Sequence, residues 1–312
     1  MKGSRYLRLP QYEAGGYPEN ELEKIQELFG KAFGGRRISQ EMLRWQMEDN
    51  PSLKKRATSL WDGETLAAYN ALTPAKAIYE GRKIYTAVSG TTMADERYMG
   101  ASVQLFSECR KQNQDIEVII GYPNHNSYGI TTKYLNHKYI GDVAFWTCKA
   151  QQTGSYGDIR QISAFTDEHG GLWKGLSGRH QYMKIRDKDY LNWRFFKRPE
   201  YEYLAYEIME NGKLWGYIVT DVYEENQVRQ LQLVDFVALS EESLSALLRF
   251  CLDLGARLKC EIVKAWMTSR YYKQVFLDAG FVYGAHPFPM TVWDQELVLE
   301  KAYLTMCDSD IF

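Results

Sequence analysis

The chain has 312 residues, enough for about two domains of ordinary size. Its apolar content of 45% and its charged content of 25% are those of a soluble globular protein. The net charge of −2, together with the lack of a basic run interleaved with aromatic residues, gives no reason to expect a nucleic-acid partner.

Membrane and metal partners are not expected either. The first 16 residues lack an apolar signal core, and no run of about 18 apolar residues occurs in the chain. The five cysteines are scattered and include no Cys-x-x-Cys pair, so neither a disulfide framework nor a zinc site is indicated. A cytoplasmic location is the simplest expectation. The 23 Tyr and 8 Trp residues suit either a cleft for a large ligand or a generally aromatic core.

Two helices are predicted near the start of the chain. Residues 21 to 33 place apolar side chains at helical spacing, and Gly34 with Gly35 ends that pattern. Ser39 predicts the N-cap of a second helix, which Asn50-Pro51 ends.

A three-stranded antiparallel meander follows between residues 57 and 93. Asp62-Gly63 and Glu80-Gly81 are the two hairpin turns, because both dipeptides lie between runs rich in apolar and β-branched residues. The last strand of the meander covers residues 84 to 93.

Small residues then join this strand to a helix that runs to about Lys111. The turn contains Gly100, Ala101 and Ser102, and a helix N-terminus there would present unpaired backbone N–H groups. The helix dipole favours negative charge at that end, and a glycine allows a phosphate to approach the backbone. The stretch is therefore a candidate pyrophosphate cradle, with ordinary turn chemistry as the alternative.

A β-α-β order follows, with a strand at 116–122, a helix at 127–137 and a strand at 139–148. Asn124, His125 and Asn126 come at the end of the first of these strands, where ligand groups are often placed. His125 could act as a general base because its ordinary pKa lies near neutrality; a solvated loop histidine is the alternative. Residues 150 to 185 are rich in glycine and read as an irregular connection.

The chain also matches itself at a constant offset of 148. Trp45 corresponds to Trp193, and the hairpin residue Tyr69 corresponds to Tyr217. The other matched pairs are Leu43 with Leu191, Pro51 with Pro199 and Leu66 with Leu214. The comparison predicts two copies of one helix–meander–helix–strand unit: an N-terminal domain at 1–150, a linker at 151–187 and a degenerate C-terminal domain at 188–312.

The second copy lacks the cradle. Its corresponding helix begins after Ser240, and Glu241 and Glu242 already occupy the positive end of that helix. We therefore expect only the first copy to bind an anion, and the second to support the fold and wall an acceptor cleft.

The run Arg97-Tyr98-Met99-Gly100-Ala101-Ser102 resembles the acyl-CoA-binding loop of the GNAT N-acyltransferases. The doubled layout is similar to tandem GNAT proteins, and distantly to the Fem-type aminoacyl transferases, which also pair two such domains. The resemblance implies an α/β (α+β) chain of two GNAT folds, each with a mixed, mostly antiparallel central sheet flanked by helices.

The resemblance also implies a site. Tyr134 would be the general acid for the departing thiolate, with a tyrosine packed on a helix face as the alternative, and His125 remains the candidate base. The implied cofactor-binding residues are Thr92, Met93 and Ala94 for the pantetheine arm, Asn124 or Asn126 beside it, and Tyr98, Met99, Gly100, Ala101, Ser102 and Val103 for the phosphates. An acidic C-terminal end (Asp308, Asp310 and the carboxylate of Phe312) could supply a base or simply fray, and His286 could line the cleft from the second copy.

The expected activity is N-acyl transfer by direct attack in a ternary complex. The donor would be acetyl-CoA or another acyl-CoA, with an acyl carrier protein as the other donor, and the acceptor an amine of a small molecule such as an amino sugar or an amino acid. No metal is expected. Two alternatives stay open: a Fem-type aminoacyl transferase and a non-catalytic GNAT-like binding module.

Overall fold

The computed structural model describes residues 10–52, 54–134, 136–293 and 295–309. Within these residues the helices are α1 (Leu22–Ala32), α2 (Gln40–Met47), α3 (Ala101–Gln112), α4 (His125–Tyr134), α5 (Lys174–Ser177), α6 (Lys188–Leu191), α7 (Glu241–Arg257) and α8 (Lys273–Asp278). None of the described helices is long and apolar enough to cross a membrane.

The strands of the N-terminal half are β1 (Glu13–Gly15), β2 (Ala57–Asp62), β3 (Thr65–Tyr79), β4 (Arg82–Ala94), β5 (Val118–Gly121) and β6 (His137–Lys149). Those that follow are β7 (Asp158–Ile162), β8 (Tyr182–Lys184), β9 (Leu204–Glu210), β10 (Lys213–Glu225), β11 (Val228–Ala238), β12 (Ile262–Ala265), β13 (Val282–Trp293) and β14 (Ala302–Tyr303).

The described strands form one sheet in the order β1-β2-β3-β4-β5-β13-β6-β12-β11-β10-β9-β7, with β8 and β14 attached beside β3. Pairing is parallel between β4 and β5, β11 and β12, and β8 and β14, and antiparallel elsewhere. The predicted fold class, a mixed and mostly antiparallel sheet flanked by helices, is confirmed.

The sheet order has the same pattern from either end. A meander (β2-β3-β4 or β9-β10-β11) is followed by a parallel partner (β5 or β12), and then by a strand from the other half of the chain. β13 lies beside β5, and β6 lies beside β12, so the two halves exchange their last strands. The exchange gives the two halves one continuous sheet.

The ring systems of Trp45 and Trp193 meet where the halves pack together. Their centroids are 4.6 Å apart and their planes differ by 11°. Each indole N–H donates to the backbone carbonyl of the other residue, at 2.9 Å from Trp45 and 3.0 Å from Trp193. This reciprocal contact joins two residues that the internal comparison pairs.

Local sequence accounts for several element ends. Ser39 caps α2 by accepting the N–H of Met42 at 3.0 Å, and Ser240 begins α7 in a capping box with Ser243. The helix expected at 127–137 was misplaced: α4 begins at His125 and ends at Tyr134. Asn136 has a left-handed φ of +55°, which stops the helix and starts β6 at His137.

Residues 151 to 187, expected as an irregular connection, are irregular but packed. They contain β7, α5 and β8, and they bury Trp173, Leu176 and Met183 in the main core. The described part of the acidic C-terminal end is docked as well, since Asp308 is completely buried. The division into domains at 150 and 187 stays a prediction.

Candidate functional site

A gap opens between β4 and β5. The two strands pair in parallel from Thr86 and Val118 to Ser89 and Gly121, where β5 ends. β4 continues to Ala94 and is paired there with β3 alone. The edge of β4 beyond Ser89 therefore presents backbone N–H and C=O groups that none of the described strands covers on that side.

A β-bulge shapes this edge. Ala71 pairs with Gly90 and Tyr69 with Met93, so Asn70 alone faces the two residues between them. One of the two, Thr91, has a φ of +50°, a conformation that a β-branched residue rarely adopts. Such strain persists only where the surroundings impose it, and it marks candidate functional positions.

Asn70 is the side chain that holds the bulge. It is completely buried, and its amide nitrogen lies 3.0 Å from Ser89 Oγ and 2.6 Å from Thr92 Oγ1. Its carbonyl oxygen accepts from Cys109 Sγ in α3 at 3.3 Å. The contacts tie the mouth of the gap to the helix that begins beside it.

Two cavities occupy the gap. The outer one, of about 630 Å³, and the inner one, of about 180 Å³, share Phe33, Thr92, Phe106, Asn124 and Ser127 in their walls. Their shared walls place them along one cleft between α1, α3, α4 and the edge of β4. This size suits part of a large, extended ligand.

The outer end of the cleft reaches the N-terminus of α3. Gly100 precedes the helix with a left-handed φ of +81°, and among the residues that the structure describes no side chain caps this end. The first N–H groups of a helix have no intrahelical acceptor, and the half-buried Ser102 in the first turn also lines the outer cavity. The arrangement fits an anion at the mouth of the cleft.

Asp95 and Arg97 brace the turn before this helix. The Asp95 carboxylate accepts the backbone N–H of Arg97 at 3.1 Å and its Nε at 2.9 Å. The Arg97 hydrogen bonds outweigh the opposing effect of burial and lower the pKa of Asp95 to about 2. Asp95 is thus a structural anion and a poor base. Lys31 Nζ lies 4.0 Å from the same carboxylate.

The predicted site residues fall into three groups. Thr92, Met93, Ala94, Ser102 and Asn124 line the outer cavity. Five others form the turn before α3 and its first residues and line neither cavity: Tyr98, Met99, Gly100, Ala101 and Val103. Of these, Met99 and Val103 are exposed, and Ala101 is buried. Three predicted side chains lie outside the described part of the chain: those of His125, Asn126 and Tyr134. The side chain of His286 and the residues Asp310 and Phe312 also lie outside it.

Asn124 has a structural role in addition to its place in the cleft. Its Oδ1 accepts the N–H of Ser127 at 3.0 Å, which caps α4. The cap fixes this side chain at the point where the two cavities meet.

Sequence reasoning missed part of the inner cavity. His137 and Thr291 both line it, and His137 Nδ1 lies 3.3 Å from Thr291 Oγ1. Tyr122 lines it too, after the end of β5. His137 and Thr291 are 154 positions apart and meet only because β13 pairs with β6. No local pattern could have indicated that contact.

The corresponding gap in the C-terminal half is filled. β11 and β12 pair only as far as Leu233 and Ala265. Pairing between β4 and β5 stops in the same way, at Ser89 and Gly121. The segment at 302–309 then lies between the diverging chains: Thr305 Oγ1 donates to Asp235 at 2.7 Å, and Thr268 Oγ1 donates to the Ala302 carbonyl at 2.7 Å. The segment at 302–309 thus occupies the second gap.

A buried cluster of charges holds this segment in place. Arg186 lies 3.1 Å from Asp235 and 2.7 Å from Asp308, and Lys184 lies 3.5 Å from Asp308. Burial by itself would raise the pKa of Asp308, but Arg186 and Lys184 outweigh it and lower that pKa. Burial lowers the pKa of Lys184. These groups are structural, because none of them lines a described cavity of the first gap.

Comparison by sequence identifies no relative: no family model matches the chain, and no curated protein matches it significantly. Solved structures do match. A GCN5-related N-acetyltransferase from Anabaena variabilis aligns with a TM-score of 0.71 and 14% identity, over 90% of this chain and 72% of its own. A conserved protein of unknown function from Enterococcus faecalis, called a probable N-acyltransferase, aligns at 0.67 and 14%, over 93% and 74%.

The N-myristoyltransferase of Saccharomyces cerevisiae, solved with bound myristoyl-CoA, aligns with a TM-score of 0.64 and 11% identity, over 98% of this chain and 90% of its own. Identities this low establish a shared fold and nothing more specific. The agreement covers nearly the whole chain in each case. The chain therefore has the fold of the GCN5-related N-acetyltransferases.

Proposed function

We propose that the protein is an enzyme that transfers an acyl group from an acyl-CoA thioester to an amine. The observation that carries the proposal is the open gap between β4 and β5, which leads to the uncapped N-terminus of α3. The fold adds support, because two of the matched structures are called N-acetyltransferase and N-myristoyltransferase.

The donor would lie along the cleft. Its phosphates would contact the first N–H groups of α3 near Ser102, with Lys31 close by. Its pantetheine arm would bond to the uncovered edge of β4 from Gly90 to Ala94, as an added strand does. Backbone N–H groups at the strained bulge would polarise the thioester carbonyl.

The acceptor amine would attack that carbonyl carbon directly. The carbon–nitrogen bond forms, the carbon–sulfur bond breaks, the amine loses a proton and the departing thiolate gains one. His125 as base and Tyr134 as acid remain predictions for these two transfers. The acetyl group is the proposed cargo, and a small amine the proposed acceptor.

We further propose that the two halves are tandem GNAT units with one working site. The symmetric strand order and the reciprocal Trp45–Trp193 contact support the doubling. Among the described residues, the segment at 302–309 fills the second gap, which supports a single donor site in the N-terminal unit.

Titration calorimetry with acetyl-CoA tests the proposal on three proteins. Ser102→Glu adds a negative charge at the first turn of α3, and Ser107→Glu adds the same charge to an exposed site farther along the same helix. A glutamate near a helix N-terminus does not destabilise the helix, so Ser102→Glu should remain folded. We expect wild type and Ser107→Glu to bind alike, and Ser102→Glu to bind at least about tenfold more weakly.

Two results would count against the proposal. One is the absence of heat from wild type with acetyl-CoA and with longer acyl-CoAs. The other is equal affinity in Ser102→Glu and wild type. A parallel assay of free CoA thiol in the presence of amines would then show whether binding leads to transfer, since direct attack releases one thiol for each amide formed.

A further inference from the structure

A separate pocket of about 670 Å³ lies mostly in the C-terminal half, and Arg36, Phe145 and Thr147 of the N-terminal half complete its walls. It is on the face of the sheet opposite α7: Gly255 of α7 faces Leu231 and Val263, and alternate residues of a strand point to opposite faces. Gln230 and Lys264, one position away from those two, line the pocket.

Gln230 is the first sign that this pocket takes a ligand. Its side chain is 98% buried, and within the described residues no donor reaches its Oε1. A buried carbonyl oxygen without a partner costs about 1–3 kcal/mol, so it is rarely retained without a purpose. Gln230 lines the pocket, so a turn of its side chain toward the cavity would bring Oε1 to a hydrogen-bond donor on a ligand.

Asp221 is the second sign. It is half-buried, lines the same pocket and takes part in none of the ion pairs of the described residues. Burial raises the pKa of this carboxyl, and a hydrogen bond from the backbone N–H of Val222 and, after it, the charge of Arg198 oppose the rise. The Val222 N–H therefore fills one acceptor position of the carboxylate, and the remaining lone pairs can accept hydrogen bonds from a ligand.

Lys264, one of the two cations that line the pocket with the exposed Arg36, is already engaged. Lys264 Nζ lies 4.0 Å from Glu225 and 5.2 Å from the ring of Phe145. An anionic ligand would have to compete with both contacts. The buried acceptors of the pocket thus leave positions for donors on a ligand, and its aromatic walls, including Tyr201, Tyr203 and Phe145, provide flat apolar surface.

The pocket adjoins the donor cleft. Phe33 lines the donor cleft, and Arg36, three residues later in the loop between α1 and α2, lines this pocket. On the other side, Tyr122 of the inner cavity packs against Trp266, with 5.5 Å between centroids, and Trp266 packs against Phe145. One loop and one aromatic layer separate the two spaces.

We propose that this pocket binds the body of the amine acceptor, and that this body is a hydroxylated ring, as in an amino sugar. The role as acceptor site rests on the proposed acyl transfer. Ring hydroxyls would donate to Gln230 and Asp221, and the C–H face of the ring would pack on the tyrosines. The amine would then point beneath the α1–α2 loop toward the thioester.

Saturation-transfer NMR on the full chain, without any acyl donor, tests the assignment with three probes: glucosamine, glucose and cyclohexylamine. We expect both sugars to bind, because the hydroxyls are what the pocket recognises, and cyclohexylamine not to bind. Gln230→Leu and Asp221→Asn should each weaken sugar binding about tenfold. Gln161→Leu, at an exposed site on β7, should leave binding unchanged.

A stability measurement distinguishes a loss of sugar recognition from a loss of folding. Gln230→Leu removes a buried unpaired oxygen, so its unfolding midpoint should not fall below that of wild type. No saturation transfer to either sugar, equal binding of cyclohexylamine, or sugar binding that Gln230→Leu leaves intact would each overturn the assignment. Sugar binding in a protein that binds no acyl-CoA would refute the acyl transfer and leave the sugar pocket standing.

Discussion

Asp308 is the residue whose removal should show most clearly how the C-terminal end is held. It is completely buried and pairs with Arg186 at 2.7 Å. Asp308→Asn would leave buried positive charge without its partner, and we expect the free energy of unfolding to fall by about 3 kcal/mol at pH 7. The control is Asp167→Asn, which breaks an exposed ion pair with Lys188 and should change little. Urea unfolding measures both, and equal losses would contradict the prediction.

The same carboxyl predicts a pH dependence. Its pKa is lower in the folded protein than its ordinary value of 3.8, because Arg186 and Lys184 outweigh burial. The stabilisation is therefore complete above about pH 4 and is lost as the pH falls through the folded-state pKa. Urea unfolding across this pH range should show that the difference in free energy of unfolding between wild type and Asp308→Asn shrinks as the pH falls. A difference in free energy of unfolding that stays constant with pH would mean that the charge of Asp308 does not cause the stabilisation.

Single residues also show the limits of sequence reasoning. Gly100 was identifiable because a glycine between a strand and a helix suits a left-handed turn, and its φ is +81°. Asn70 was not, although it holds the bulge, since an asparagine inside a strand carries no signal of what lies across the sheet. Gln230 was missed for the same reason.

At the scale of elements, the segment at 302–309 should behave as part of the core. Leu304 within it is completely buried, whereas Val298, shortly before it, is 46% exposed. Leu304→Ala should lower the free energy of unfolding by about 3 kcal/mol, and Val298→Ala should have little effect. Urea unfolding with fluorescence detection compares the two. Similar small losses would show that the segment contributes little to the packing of the second gap.

Helices and hairpins were predicted well because their signals are local. The effects of Ser39, Asp62-Gly63 and Ser240 reach only about four residues along the chain. The nearby sequence therefore contains all that is needed to predict these caps and turns. The end of α4 was misplaced because Asn136 stops it through a left-handed conformation that asparagine adopts only in some contexts.

At the scale of the molecule, the contact between Trp45 and Trp193 should couple the two halves. The rings stack, and each indole N–H donates to the other residue's backbone. Trp45→Leu and Trp193→Leu should each destabilise the protein, and the double variant should lose at least about 0.5 kcal/mol less than the sum, because the second substitution has no stack left to break. Urea unfolding of wild type, the two single variants and the double variant completes this double-mutant cycle. Additive losses would mean that the rings are energetically independent.

The turns, the helix caps and the glycine before α3 could be predicted from the amino-acid sequence, because each depends on neighbouring residues, whereas the doubling of the chain stays a prediction of the internal comparison. The tertiary structure alone decided that β6 and β13 change places, that the C-terminal segment fills the second gap, and that Gln230 and Asp221 line one pocket. Such features depend on pairing between strands far apart in the chain, and the energy of that pairing is set by packing and burial across the sheet, which no local run of residues encodes.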